Sequence, residues 1–124
     1  MDEKRKVLVV DDDPDVRALL NVWLRDSEFQ MVAGADGYQA VGLALRHQPA
    51  VILLDIKLPA ADGFVVHERL KNLSSVGTIP IVYISADRKA EPRAIAAGGV
   101  RFLAKPLDKE RTLSTLREVC HSVA

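Results

Sequence analysis

Short apolar runs recur along the chain, and most of them stop abruptly at a polar residue. Lys6-Val7-Leu8-Val9-Val10 stops at Asp11-Asp12-Asp13, and Val51-Ile52-Leu53-Leu54 stops at Asp55. Ile79-Pro80-Ile81-Val82-Tyr83-Ile84 stops at Ser85-Ala86-Asp87, and Arg101-Phe102-Leu103-Ala104 stops at Lys105-Pro106. Unbroken runs this short, bounded by turn signals, fit strands buried on both faces, as in a parallel sheet. Gln30 to Ala35 is a fifth, less apolar run and is expected nearer the sheet edge.

Between the runs the apolar spacing changes to that of a helix. Asp13 caps a first helix, and Pro14 takes its first position. Val16, Leu19, Leu20 and Trp23 form its inward face, while Arg17, Asn21 and Arg25 point away. Asp36-Gly37 opens a second helix with Ala40, Val41, Ala44 and Leu45 inward, and Arg46-His47-Gln48-Pro49 closes it. Gly63 opens a third, with Val66 and Leu70 inward. Residues 92–97 allow only a short fourth helix, stopped by Gly98-Gly99. Asp108 caps the last, with Leu113, Leu116 and Cys120 on one face. Strand and helix alternate throughout, which predicts an α/β fold, a doubly wound five-stranded parallel sheet with helices on both faces. One domain is expected over 1–124, with no linker or repeat.

Composition narrows the class. The chain is 48% hydrophobic but 5% aromatic, so its core must be aliphatic. Lys plus Arg equals Asp plus Glu, 17 each, so charge favours neither direct nucleic-acid binding nor a membrane surface. No apolar run approaches the roughly 20 residues of a membrane span. The charged start Met1-Asp2-Glu3-Lys4-Arg5-Lys6 is not a signal peptide, and the lone Cys120 cannot form an internal disulfide. A cytoplasmic protein is expected.

The strand ends carry the candidate chemistry. In a parallel sheet Asp11, Asp12, Asp55, Ser85 and Lys105 lie on one rim, where open α/β sheets place their ligands. Three close carboxylates repel unless a hard cation such as Mg²⁺ sits among them. A Lys amine and a Ser hydroxyl beside them suit a phosphoryl group, and a carboxylate can be the nucleophile that receives it. Asp55 is the central candidate. Taken singly, each acid reads more simply as a cap or turn residue. Four polar ends, each closing a strong apolar run, argue for a shared site.

These stretches resemble the receiver domains of two-component response regulators. The resemblance rests on Val7-Leu8-Val9-Val10-Asp11-Asp12-Asp13-Pro14, on Leu53-Leu54-Asp55-Ile56 with Leu58-Pro59 and Asp62-Gly63, and on Ile84-Ser85-Ala86 and Lys105-Pro106. It covers Lys6 to about Val119. It implies the flavodoxin-like strand order 2-1-3-4-5 and five helices. It implies that Asp55 is phosphorylated by a histidine kinase or a histidine phosphotransfer protein, in a site that uses Mg²⁺ (or Mn²⁺). Asp12 and Asp55 would bind the metal directly, Asp11 largely through water, and Lys57 through its backbone carbonyl. Lys105 would pair with the phosphoryl group and Ser85 would hydrogen-bond it. Phe102 falls at the position of the family's aromatic switch, which responds with Ser85 and alters the surface of the fourth helix, fifth strand and fifth helix. A core aromatic is the simpler reading of Phe102, and both can hold. A downstream protein partner or output domain would read that surface, with the chain a monomer or a phosphorylation-dependent dimer.

The chain departs from the family pattern in places. The interval from Ser85 to Lys105 is one or two residues shorter than is common, and Pro92 lies within it. A short or irregular fourth helix is therefore expected. Arg101 stands where an acid is frequent. Lys57 and Asp87 would flank the acceptor, either pairing across it or standing as two solvated side chains. His47, His67 and His121 lack ligand spacing and read as surface residues, and Trp23 reads as packing. An aspartyl phosphatase is the enzymatic alternative, but it would usually place a second acid where Lys57 stands. A scaffold without phosphorylation is the third reading, disfavoured by the complete polar set. The chain is thus expected to be a signalling phosphoacceptor that assists its own phosphorylation and dephosphorylation, not an enzyme in the usual sense. It ends soon after the last helix, so either a stand-alone receiver or part of a longer regulator fits.

Overall fold

The computed structural model describes residues 4–122. The ends of the domain expected over 1–124, including the charged start Met1-Asp2-Glu3, lie outside the described residues. Among those described, strands and α-helices alternate: β1 (Arg5–Val10), α1 (Pro14–Arg25), β2 (Phe29–Gly34), α2 (Gly37–His47), β3 (Val51–Asp55), α3 (Gly63–Lys71), β4 (Ile81–Ser85), α4 (Glu91–Ala96), β5 (Arg101–Ala104) and α5 (Lys109–Ser122). The strands form one parallel sheet in the order β2-β1-β3-β4-β5. The less apolar run is indeed at an edge.

Alternation along each strand assigns its side chains to two cores. Val7, Val9, Val51, Leu53, Val82, Ile84 and Leu103 meet Leu20 and Leu24 of α1 and Leu113, Leu116, Val119 and Cys120 of α5. Leu8, Val10, Ile52, Leu54, Ile81, Tyr83 and Phe102 meet Ala40 and Ala44 of α2, Val66 and Leu70 of α3, and Ala94 of α4. The same parity governs the rim. Asp11, Asp55 and Lys105 continue the series facing α1 and α5, whereas Ser85 continues the one containing Tyr83 and Phe102.

Local signals explain the helix starts. Asp13, Asp36 and Asp62 accept from the backbone N–H of Asp15, Gln39 and Val65 at 2.9, 2.9 and 3.0 Å. Asp108 accepts from Arg111 N at 2.8 Å at the start of α5. These are the side-chain caps that orphan donors at a helix start require. The fourth helix is short, as the spacing predicts. A single 3-10 turn over Arg88–Ala90 precedes six residues of α4, with Pro92 in the first turn.

Several expectations are corrected. Leu19 and Leu45 are 44% and 43% exposed rather than inward. The buried faces centre on Leu20 and Leu24 and on Ala40 and Ala44, and one residue further rotates the side chain by about 100° towards solvent. Arg17 does not point away, but turns back to the β1–α1 loop. His67 is not a surface residue. It is 7% exposed, and its Nδ1 is hydrogen-bonded to the hydroxyl of Tyr83. Burial holds its pKa below the ordinary histidine value, aided by the charge of Lys71 against that of Glu68. His121 is exposed and Trp23 packs partly against the α1–α5 core, as expected.

Candidate functional site

The carboxyl ends of β1, β3, β4 and β5 come together around an open cleft of about 820 Å³. Asp12, Asp55, Lys57, Ser85, Asp87 and Lys105 are among its lining residues. Asp11, Asp12 and Asp55 each bring one carboxylate oxygen to within 4.8 Å of the others. Their environments differ: Asp11 is fully buried, Asp55 is 5% exposed and Asp12 faces solvent.

Lys105 reaches into this cluster from β5. Its Nζ lies 2.8 Å from Asp11 Oδ2 and donates to Asp55 Oδ2 at 3.2 Å. Burial works against the charged amine, but contact with Asp11 and the charges of both acids hold its pKa above the usual lysine value. One ammonium does not balance the cluster. Burial, then the charge of Asp11, raise the Asp55 pKa to about 6 against the opposing pull of Lys105.

Three converging carboxylates, one fully buried, one desolvated with a raised pKa and one exposed, with a single ammonium among them, together fit a hard divalent cation. Asp12 and Asp55 are the oxygens an entering Mg²⁺ would reach from the cleft, with Asp11 behind them.

The loop after β3 is shaped around Asp55. Lys57 N donates to Asp55 Oδ1 at 3.3 Å, and Gly63 N donates to Ile56 O at 2.8 Å. A Cβ on Gly63 would stand 2.5 Å from the Asp55 carbonyl oxygen, so only glycine lets α3 start here. Ser85 is 3% exposed, and its Oγ accepts from Asp87 N at 3.0 Å. The Ser85 hydroxyl hydrogen thus remains available to a cleft ligand. Lys105 N donates to Ser85 O at 2.8 Å, which ties the ends of β4 and β5 together. The Lys105–Pro106 peptide is cis.

All the residues expected on the rim are gathered there. Phe102 is 8% exposed in the core beneath α4, two positions before Ala104, the register partner of Ser85. Lys57 and Asp87 both line the cleft, but among the described residues no ion pair joins them. Asp87 instead caps the 3-10 turn by accepting from Lys89 N at 3.0 Å. Sequence reading missed Arg17, whose Nη1 donates to Asp11 O at 2.7 Å. Its position in the first turns of a helix that follows an acidic loop was the available signal.

Comparisons with known proteins agree with this geometry. RpaA of Synechocystis, a DNA-binding dual master transcriptional regulator, is 31% identical over 114 residues, covering 90% of this chain and 47% of RpaA. The chain thus spans about half the length of that relative. An uncharacterised 14.6 kDa protein of Leptolyngbya boryana is 31% identical over 116 residues, with coverage of 92% and 88%. The receiver domain of sensor histidine kinase PA1611 from Pseudomonas aeruginosa, solved with a magnesium ion in its active-site cleft, superposes with a TM-score of 0.88. It is 27% identical, with coverage of 95% and 98%. The profile of the response regulator receiver domain matches residues 7–117, and the chain belongs to that family.

Proposed function

We propose that this chain is a phosphorylation-controlled signalling module in which Asp55 accepts a phosphoryl group from a phosphohistidine on a histidine kinase or phosphotransfer protein. The observation that carries this reading is the shared cleft: three carboxylates within 4.8 Å and a Lys105 ammonium 3.2 Å from Asp55 Oδ2. Asp12, Asp55 and the Lys57 carbonyl would hold a divalent cation, Mg²⁺ or Mn²⁺, with Asp11 acting through water, and the cation would supply positive charge for the phosphoryl oxygens.

The protein's own residues do the rest. An oxygen of the Asp55 carboxylate attacks phosphorus, and the electron pair of the breaking P–N bond returns to the donor imidazole. Even without a cation, a pKa of about 6 leaves the Asp55 carboxylate ionised at neutral pH. Lys105 transfers its contact from the Asp55 oxygen to the charged phosphoryl oxygens. Ser85 keeps its bond from Asp87 N and donates its hydroxyl hydrogen to a phosphoryl oxygen. Movement of Ser85 towards the cleft opens space on the face it shares with Phe102. The ring and the α4-β5-α5 surface then shift between pre-existing states. That surface addresses a partner protein or an output domain.

Incubation with Mg²⁺ and acetyl phosphate or phosphoramidate, followed by intact mass measurement, tests the reading. One added phosphoryl group is expected, and none in Asp55→Asn. No gain with any small donor or phosphohistidine protein would leave a scaffold. Turnover of free phosphomonoesters would instead indicate a hydrolase.

A further inference from the structure

We infer that Arg17 is a positioning residue for divalent-cation binding: its guanidinium directs the Asp12 carboxylate by holding the peptide that joins Asp11 to Asp12. This rests on the reading of the acidic rim as a metal site.

Arg17 sits near the start of α1, half-buried, and its Nη1 donates to the Asp11 carbonyl oxygen at 2.7 Å. That oxygen and the Asp12 nitrogen belong to one planar peptide unit. Clamping the oxygen restrains the rotation of the plane, and so narrows the directions in which the Asp12 side chain can leave the backbone. The rest of Asp11 is already held. Its N–H donates to Gly34 O at 3.1 Å, and its Oδ1 accepts from Asp13 N at 2.9 Å. Asp12 has no such support: it is exposed, and among the described residues no hydrogen bond or ion pair reaches its carboxylate. What restrains its aim is therefore the backbone from which it leaves. A charged donor to a carbonyl is among the stronger hydrogen bonds available for the purpose.

The plainer role is that Arg17 merely satisfies a carbonyl at a strand end. The two roles predict opposite signs. On Coulombic grounds, removing a cationic side chain beside the acids raises affinity for a cation. If Arg17 aims Asp12, removing it lowers that affinity despite the relieved repulsion.

The test is calorimetric titration of EDTA-treated, dialysed protein with Mg²⁺, alongside thermal melts without metal. Arg17→Met is expected to weaken Mg²⁺ binding by about 10-fold or more, the usual cost of losing a group that orients a metal ligand. Arg17→Lys, which keeps a charged donor, is expected to lose less. Folded Arg17→Met that binds Mg²⁺ as tightly as the unaltered protein, or more tightly, overturns the inference, even if its melting temperature falls. Should Arg17→Met be unfolded at the assay temperature, Arg17→Gln, too short to hold the same carbonyl, replaces it with the same two outcomes. Failure of the unaltered protein to bind millimolar Mg²⁺ removes the metal reading and this inference with it. Binding by the unaltered protein without loss in the variant removes this inference alone.

Discussion

Lys105 Nζ and Asp11 Oδ2 meet at 2.8 Å although their strands, β5 and β1, are separated in the sheet by β4 and β3. The side chain thus crosses the rim above Asp55, and a cation entering the cleft must share these acids with a resident ammonium. Replacing Lys105 with Met removes that competitor. The expected result is several-fold tighter Mg²⁺ binding by titration, together with loss of stable phosphorylation, because no ammonium remains to meet the phosphoryl oxygens. Unchanged or weaker Mg²⁺ affinity would show that Lys105 does not compete for the site.

The raised pKa of Asp55 makes metal-free stability depend on pH. Its folded value of about 6 lies above the ordinary 3.8, so between these limits the folded state binds more protons than the unfolded state. Stability from this group is present below the lower limit, falls as pH rises through the window and stays lost at neutral pH. Asp55→Asn abolishes the cost and should stabilise the EDTA-treated protein at pH 7 by on the order of 1 kcal/mol. Denaturant melts at acid and neutral pH check this: the gain should shrink towards pH 4.

Gly63 tests the scaffold behind the acceptor. A methyl group there meets the Asp55 carbonyl at 2.5 Å, and the next nearest atoms are also backbone, of Asp55 and Ile56, which leaves little room to yield. Gly63→Ala should cost about 1–3 kcal/mol of stability and slow phosphorylation by acetyl phosphate. A variant of full stability with the normal rate would mean that the β3–α3 loop relaxes freely.

The buried pair of His67 and Tyr83 makes a separate prediction. Tyr83→Phe keeps the ring against Phe64 but strips a buried imidazole nitrogen of its partner. A loss of about 1–3 kcal/mol is expected, read as a lower denaturant midpoint at unchanged slope. Mg²⁺ affinity should not move, because the pair joins α3 to β4 away from the rim.

The strand ends could be read in advance because an apolar run stops where burial stops. Parity then places Asp11, Asp55 and Lys105 on one face, and Ser85 and Phe102 on the other. Helix starts at Asp13, Asp36 and Asp108 were equally open, since each carboxylate precedes a helical period, whereas the cap at Asp62 emerged only in the fold. Interactions that join distant elements left no such pattern. His67 shows no apolar period of its own, and its partner lies 16 residues away on β4. Arg17 has the spacing of a solvent-facing residue, and only the return of the β1–α1 loop brings a carbonyl to it. Lys57 and Asp87 flank the acceptor as the family geometry implies, but the local cap at Lys89 N engages Asp87 instead.

The brevity of α4 has an energetic consequence. Six residues are far below the length at which a helix is stable alone, and of these only Ala94 is buried. Its order is therefore borrowed from tertiary contacts: Arg93 stacked 4.2 Å over the Phe64 ring of α3, and the Gly99 turn packed beside Tyr83. Breaking a few such contacts releases the segment and opens only the stretch of core beneath it, where Ala94 packs. This segment should therefore lead the remainder of the fold in amide hydrogen exchange, a low-energy local opening on the side of the sheet that faces away from α1 and α5.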